Sequence, residues 1–385
     1  MQYGMWAYPW DLVDEGSESV ADDLLEMGID RLYLAANYHT VEAFCPHNPV
    51  TKTVFADAGA YFQPQHDYGE IAPVPPSTMG EDDWVATVVD DLEDSALEVN
   101  AWVVGCHNSV LGTEHEEYAI TTPFGDPLAF GLCPSQPAVR DYLTRLLTEV
   151  TGRFSFGDVL LETFHYFHGS GWGWHHDKFH ADIGDLGEFL LGLCFCDECR
   201  ERAAADGVDV DAAQSTCQET IVRLAEGELG SEGSPSKWVA DHPTVDAYAS
   251  VREGTLEEFY QELNETVDAD LGSFIGMLGV DTSWMHGMNL ERLREHVDFF
   301  TVMSYREEAA DAVEAYETAA ARTDPTPVRA GVLPGHPLIH DGDSVEAHVA
   351  ELKAAGPDEI TFYNYGLLPE RNLDWIGKAI AALED

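Results

Sequence analysis

Short apolar runs alternate with longer amphipathic stretches along this chain. The runs are rich in β-branched and aromatic residues: "YGMWAY" (3–8), "RLYLAA" (31–36), "VNAWVVG" (99–105), "DVLLE" (158–162), "SFIGML" (273–278), "FFTVMS" (299–304), "VRAGVL" (328–333) and "EITFYN" (359–364). Between them apolar positions recur at helical spacing, at about 18–27, 82–96, 136–151, 185–205, 246–270, 289–295, 307–322, 343–354 and 371–383. Near-continuous apolar strands, each followed by a helical period, predict parallel strands buried on both faces. Eight such units in succession predict an α/β fold, the (β/α)8 TIM barrel. A doubly wound open sheet is the alternative, but no phosphate-binding glycine fingerprint follows the first run.

Two connections are far longer than the usual few residues. One runs from 37 to about 81 after the second strand, the other from 163 to about 272 after the fourth. Both are rich in Trp, Tyr, Phe and His, whereas disordered segments are poor in aromatics. They predict walls of a pocket at the C-terminal face, where barrel enzymes place their sites. Residues 228–243, "ELGSEGSPSKWVADHP", have the turn residues of a loop. The whole span 1–385 then reads as one barrel domain with two insertions.

Composition narrows the function. With 385 residues, 45% of them hydrophobic, the chain can bury a large core. Asp and Glu number 71 against 19 Lys and Arg, a formal charge of −52. The acids recur on helix after helix, as solvated faces do, and together they resemble the surface of an extreme halophile that keeps salt in its cytoplasm. A field this negative argues against nucleic-acid partners, whose phosphates demand Lys and Arg. No apolar run approaches 18 residues and no basic-start leader is present, so neither a membrane span nor export is expected, and a cytoplasmic location is. Seven cysteines, an odd number, do not suggest a disulfide framework there.

Three of those cysteines fall within "LCFCDECR": Cys194, Cys196 and Cys199. Partly buried free thiols are the plain alternative, but a close trio at a turn-to-helix junction supplies three of the four ligands that a structural zinc needs. Among Cys45, Cys106, Cys133 and Cys217, Cys133 in "LCPSQPAVRDYL" is well placed to be the fourth, because it precedes the helix leading into the fourth strand.

"LCPSQPAVR", a strand ending in Glu162, then "CFCDEC" resembles family 42 glycoside hydrolases and related glycoside hydrolase barrels over about residues 99–205. That resemblance implies a structural zinc on Cys133, Cys194, Cys196 and Cys199, and a general acid/base role for Glu162. Two departures stand out. Leu161 precedes Glu162 where the family has Asn, and the seventh strand, "VRAGVLPGHPLIH", ends without the family's nucleophilic acid.

Glycoside hydrolysis normally needs a second carboxylate, about 5–5.5 Å away for retention or 6.5–9.5 Å for inversion. Asp177 in "WHHDKFH" and Asp281 after the fifth strand are the nearest candidates, and Glu307 after the sixth is another. Sugar contacts are expected from Trp6, Tyr38, His39, His107, Asn108, His165, Trp174, Tyr305 and Tyr363, the aromatics by stacking and the polar groups by hydrogen bonding. The expected partner is a carbohydrate, with homo-oligomeric association compatible. The rivals are a metal-dependent hydrolase or isomerase built on the histidines and a carbohydrate-binding pseudoenzyme.

Overall fold

The structure, a computed structural model, describes residues 1–167, 180–275 and 279–383. Eight parallel strands form one sheet: β1 (Gln2–Ala7), β2 (Arg31–Tyr38), β3 (Glu98–Val104), β4 (Asp158–Glu162), β5 (Asp270–Phe274), β6 (Phe299–Met303), β7 (Val328–Val332) and β8 (Glu359–Phe362). Each pairs with its sequence neighbour, and β1 also pairs with β8, so the sheet closes into the expected TIM barrel. All eight positions of β2 are buried, as they must be in a strand covered inside by core and outside by helices.

Seven of the eight strands fall within a residue or two of the apolar runs. β5 begins three residues before its run, and 276–278 lie outside the described residues. Its start, "DLGS", looks like a turn. Gly272 is there because the ring of Phe299 crosses it: a Cβ would lie 1.9 Å from Phe299 Cε2. Helices follow the expected pattern at Ser17–Glu26, Trp84–Asp91, Pro137–Arg153, Ala309–Thr323, Gly342–Ala355 and Glu370–Ala381. The single helix expected at 185–205 is instead two, Gly184–Leu191 and Asp197–Ala205. The link between them is extended and alternates sides. Leu193 and Phe195 enter a core made by the inserted helices, and Cys194 and Cys196 enter the barrel's core. A helix (Val210–Ala225) that the periodicity reading omitted lies in the same insertion, and the expected loop at 228–243 carries the short helix Pro235–Ala240. The insertion after β2 forms an antiparallel hairpin, Val41–Phe44 with Thr53–Ala56.

The barrel interior is layered. At its N-terminal end, Arg31 donates to Asp158 at 2.8 Å and to Glu359 at 2.9 Å, with Glu98 as a third partner, and Arg329 donates to Asp158 at 2.8 Å. Above this floor stand Trp6, Tyr33 and Phe274, with Trp6 5.7 Å from Phe274 and 6.1 Å from Tyr33. Removing one partner of a buried ion pair strands the other. Arg31→Met should therefore cost about 3 kcal/mol, the low end for such losses because Arg329 remains. Denaturant unfolding would measure it, and an unchanged midpoint would show that the floor is not held by charge.

Candidate active site

Glu162 is the last residue of β4 and sits at the C-terminal mouth of the barrel. Three apolar strand residues precede it, and the strand alternation turns its side chain to the interior. Trp102, on the neighbouring β3, donates its indole N–H to Glu162 Oε2 at 2.7 Å. Around this pair the ends of other strands contribute a bowl of rings. Tyr38 meets Trp102 edge-on at 4.7 Å, and Tyr363 meets it at 6.0 Å. Tyr305 is 6.1 Å from Tyr363, and the hydroxyls of Tyr8 and Tyr363 are 3.2 Å apart. Trp6 lies beneath the bowl, fully enclosed, 6.1 Å from Tyr363.

This environment acts on protonation. Burial raises the Glu162 carboxyl to about 7, and the Trp102 hydrogen bond opposes the rise. No charged group among the described residues contributes to that shift. Burial also lifts the hydroxyls of Tyr8, Tyr38, Tyr305 and Tyr363 above the usual tyrosine range, so they stay protonated and able to donate. The arrangement is a carboxyl poised to give or take a proton near neutrality, inside a cup of aromatic faces and hydroxyls.

Backbone geometry sets the acid's position. Gly105 N–H donates to the Glu162 carbonyl at 2.8 Å, and Cys106 N–H to the Thr163 carbonyl at 2.9 Å. Thr163 has φ 55°, a left-handed conformation rare for a β-branched residue. Gly105 has no alternative, since a Cβ there would lie 2.7 Å from the ring of Phe164.

Four of the described histidines form two close pairs. His39 packs on Tyr38 at 4.2 Å and on His107 at 4.5 Å. His165 packs on His286 at 4.7 Å, and both Nδ1 atoms reach the Tyr166 carbonyl, at 2.7 and 3.2 Å. Burial lowers His165 to about 4, which leaves it neutral. Asn108 uses its carboxamide oxygen to cap the helix Ser109–Glu114, accepting from Leu111 N–H at 2.9 Å. Asp281 is not brought to Glu162: it is exposed and pairs with Arg322 at 3.4 Å. Asp177 and Trp174 lie outside the described residues. Trp102 and His286 were missed by sequence reasoning. Trp102 is hidden in an apolar strand, and its role follows only from the β3–β4 register, in which Val104 stands opposite Glu162.

Cys133, Cys194, Cys196 and Cys199 meet in a buried group whose sulfurs all lie within 4.8 Å of one another. Cys133 Sγ is 3.7 Å from Cys194, 3.8 Å from Cys196 and 3.5 Å from Cys199. A disulfide needs about 2.05 Å. A tetrahedral ion with sulfur ligands at about 2.3 Å has edges of about 3.8 Å, which is the spacing seen. The four thiols can therefore hold a metal ion. Thr121 N–H points at Cys194 Sγ at 3.3 Å, and Ser135 Oγ lies 3.1 Å from Cys199 Sγ. Three of the ligands belong to the inserted segment and Cys133 to the connection before the helix Pro137–Arg153, which leads into β4, so the centre joins the two.

No protein-family model matches the chain, and no curated protein matches it. Solved structures do. The glycoside hydrolase domain of PgaB (BpsB) from Bordetella bronchiseptica aligns over 99% of this chain and 97% of that one, with a TM-score of 0.60 at 13% identity. Alpha-L-fucosidase isoenzyme 2 from Paenibacillus thiaminolyticus aligns over 100% of this chain and 49% of its own, with a TM-score of 0.59 at 12% identity. The β-galactosidase of the psychrophilic Marinomonas ef1 gives a TM-score of 0.58 at 10% identity, over 100% of this chain and 60% of that one. The chain thus spans about half to three-fifths of those two longer proteins. These three structures are a glycoside hydrolase domain, an alpha-L-fucosidase and a β-galactosidase, and at these identities the likeness establishes the barrel.

Proposed function

We propose that this protein is a glycoside hydrolase in which Glu162 is the general acid/base. The observation that carries the reading is the Glu162 carboxyl itself, at the mouth of a barrel, raised to about 7 and ringed by Trp102, Tyr38, Tyr305 and Tyr363. A leaving sugar oxygen needs a proton at neutral pH, and a carboxyl held partly protonated there supplies it. The aromatic faces suit the apolar faces of a sugar ring, and the tyrosine hydroxyls suit its polar edge. The family 42 resemblance of the cysteine and Glu162 motifs agrees with this, as does a structural zinc on the four cysteines. Asp281 is engaged by Arg322, which leaves Asp177, of the two nearest candidates, as the proposed second carboxylate. The test is turnover of a panel of unactivated glycosides by wild type and Glu162→Gln.

One observation favours a second reading. β7 runs into "VRAGVLPGHPLIH" without the nucleophilic acid of family 42, as expected of a barrel that binds carbohydrate without cleaving it. Glycan binding with no hydrolysis across the panel would select that reading. The metal-enzyme reading turns on His175, His176 and Asp177, which lie outside the described residues.

The same proposal covers the setting: one barrel domain with a carbohydrate partner in a salt-rich cytoplasm. Among the described residues no helix is long and apolar enough to cross a membrane. A charge of −52 repels itself when the Debye length lengthens to about 10 Å at 0.1 M salt, and is screened at about 3 Å in molar salt. The melting temperature should therefore rise between 0.1 M and molar KCl. A melt that does not move would remove the halophile reading.

A further inference from the structure

Arg252 poses a problem that the barrel does not answer. It lies within the helix Pro243–Thr266, where that helix passes from the inserted core (Tyr248, Ala249) to the barrel core (Leu256, Phe259). It is 2% exposed. Its Nη2 donates to the Met285 carbonyl at 2.5 Å, while Nε and Nη1 have no hydrogen-bond partner among the described residues. A guanidinium cannot shed its proton to escape burial, and an isolated buried charge is costly. Something nearby must offset it, and among the described residues no carboxylate pairs with it.

The neighbours that remain point to the cysteines. The guanidinium carbon stands 5.0 Å over the ring of Tyr166. The Tyr166 hydroxyl is 2.5 Å from Ser135 Oγ, and Ser135 Oγ is 3.1 Å from Cys199 Sγ. Tyr248, one turn before Arg252 on the same helix, donates its hydroxyl to the Cys194 carbonyl at 2.7 Å, so this stretch of the helix lies against the cysteine segment. A divalent ion held by four thiolates carries a net charge of two minus, and burying that charge alone would be as costly as burying the arginine alone.

We propose that Arg252 is the buried counter-cation of the four-cysteine metal centre. Each makes the other's burial tolerable. The inference rests on the reading that the cysteines bind a metal and goes beyond it, because it names a positioning residue outside the ligand set. It also gives the centre a route to the site. Arg252 holds the Met285 carbonyl, and next to it the His286 carbonyl accepts the Tyr166 N–H at 3.2 Å. Gly287 closes the contact, since a Cβ there would lie 3.0 Å from Tyr166 and 3.2 Å from Arg252. Tyr166 stands four residues after Glu162 on the same segment.

The test is zinc affinity, measured by competition with a chromogenic chelator on wild type, Arg252→Met and Arg252→Lys, together with the melting temperature of each metal-free protein. Arg252→Met should weaken zinc about 10–100-fold, the usual effect of losing an outer-shell partner. Arg252→Lys, which keeps the charge, should recover most of that loss. The metal-free Arg252→Met protein should melt no lower than metal-free wild type, because it no longer buries an uncompensated cation. Should Arg252→Met not fold, Arg252→Gln makes the same comparison and keeps a donor for Met285. Wild-type zinc affinity in the neutral variant, or equal loss in the lysine variant, would overturn the proposal. A wild-type protein that takes up no zinc would overturn it together with the metal reading.

Discussion

Glu162→Gln is expected to cut turnover of an unactivated glycoside by a factor of about 10²–10⁴, the usual contribution of acid–base catalysis. The change keeps the shape and the Trp102 hydrogen bond and removes the ionisable proton. Substrate binding should change far less, and glycosides with activated leaving groups, which need little protonation, should be rescued in the glycoside-cleavage step. The pH profile adds a second readout. The acid form is the working form for leaving-group departure, and burial puts its titration at about 7. Wild-type activity should therefore fall as pH rises through about 7, and this limb should vanish with the variant's residual activity. Stability has the same sign. Between the ordinary glutamate range and about 7 the native state holds a proton that the unfolded chain has released, so stability drops as pH rises across that window, and Gln removes the slope. Near-full activity of Glu162→Gln on an unactivated glycoside would show that another residue is the acid.

The barrel was legible because its strands are buried on both faces, which writes each as an apolar run. Where a strand bends that rule the reading slipped. "DLGS" opens β5 with a glycine required by the Phe299 ring, and it resembles a turn. The helix Val210–Ala225 was legible in principle from Asp209, whose carboxylate caps it by accepting from Ala212 N–H. Glu162 stood out as an acid ending an apolar strand. Trp102 did not, since an indole in an apolar run reads as core, and only the register of two parallel strands puts its N–H on the acid. The two histidine pairs were beyond reach for the same reason: each joins residues from different loops, which spacing along the chain cannot bring together. Cys133 was reached by the suitability of its position, and its 3.5–3.8 Å contacts with the trio are a fact of three-dimensional packing.

Purified without added metal, the reduced protein should carry one zinc per chain, and Cys196→Ser should lose it. Four thiolates favour zinc over harder divalent ions, and a serine hydroxyl is a poor fourth ligand. The consequence for stability follows from where the centre lies. Cys133 precedes the helix Pro137–Arg153 of the barrel, and the trio belongs to the insertion, whose apolar residues Leu193, Phe195 and Tyr248 form a core of their own. Binding to the native state alone stabilises by about 4 kcal/mol when free metal exceeds its dissociation constant a thousandfold. At about 2 °C per kcal/mol for a chain of this size, metal loss should lower the melting temperature by about 8 °C. The damage should be local as well. The inserted helices between 184 and 225 should become sensitive to proteolysis first, because the centre is one of their ties to the barrel, whereas the helix Pro243–Thr266 also packs into the barrel core. Cys217→Ser supplies the control: Cys217 is equally buried but lies in the inserted core away from the sulfur group, so that variant should keep its zinc. Elemental analysis decides the matter. Reduced, carefully prepared wild-type protein with no bound metal would leave the four sulfurs as a packed cluster of thiols and end the metal reading.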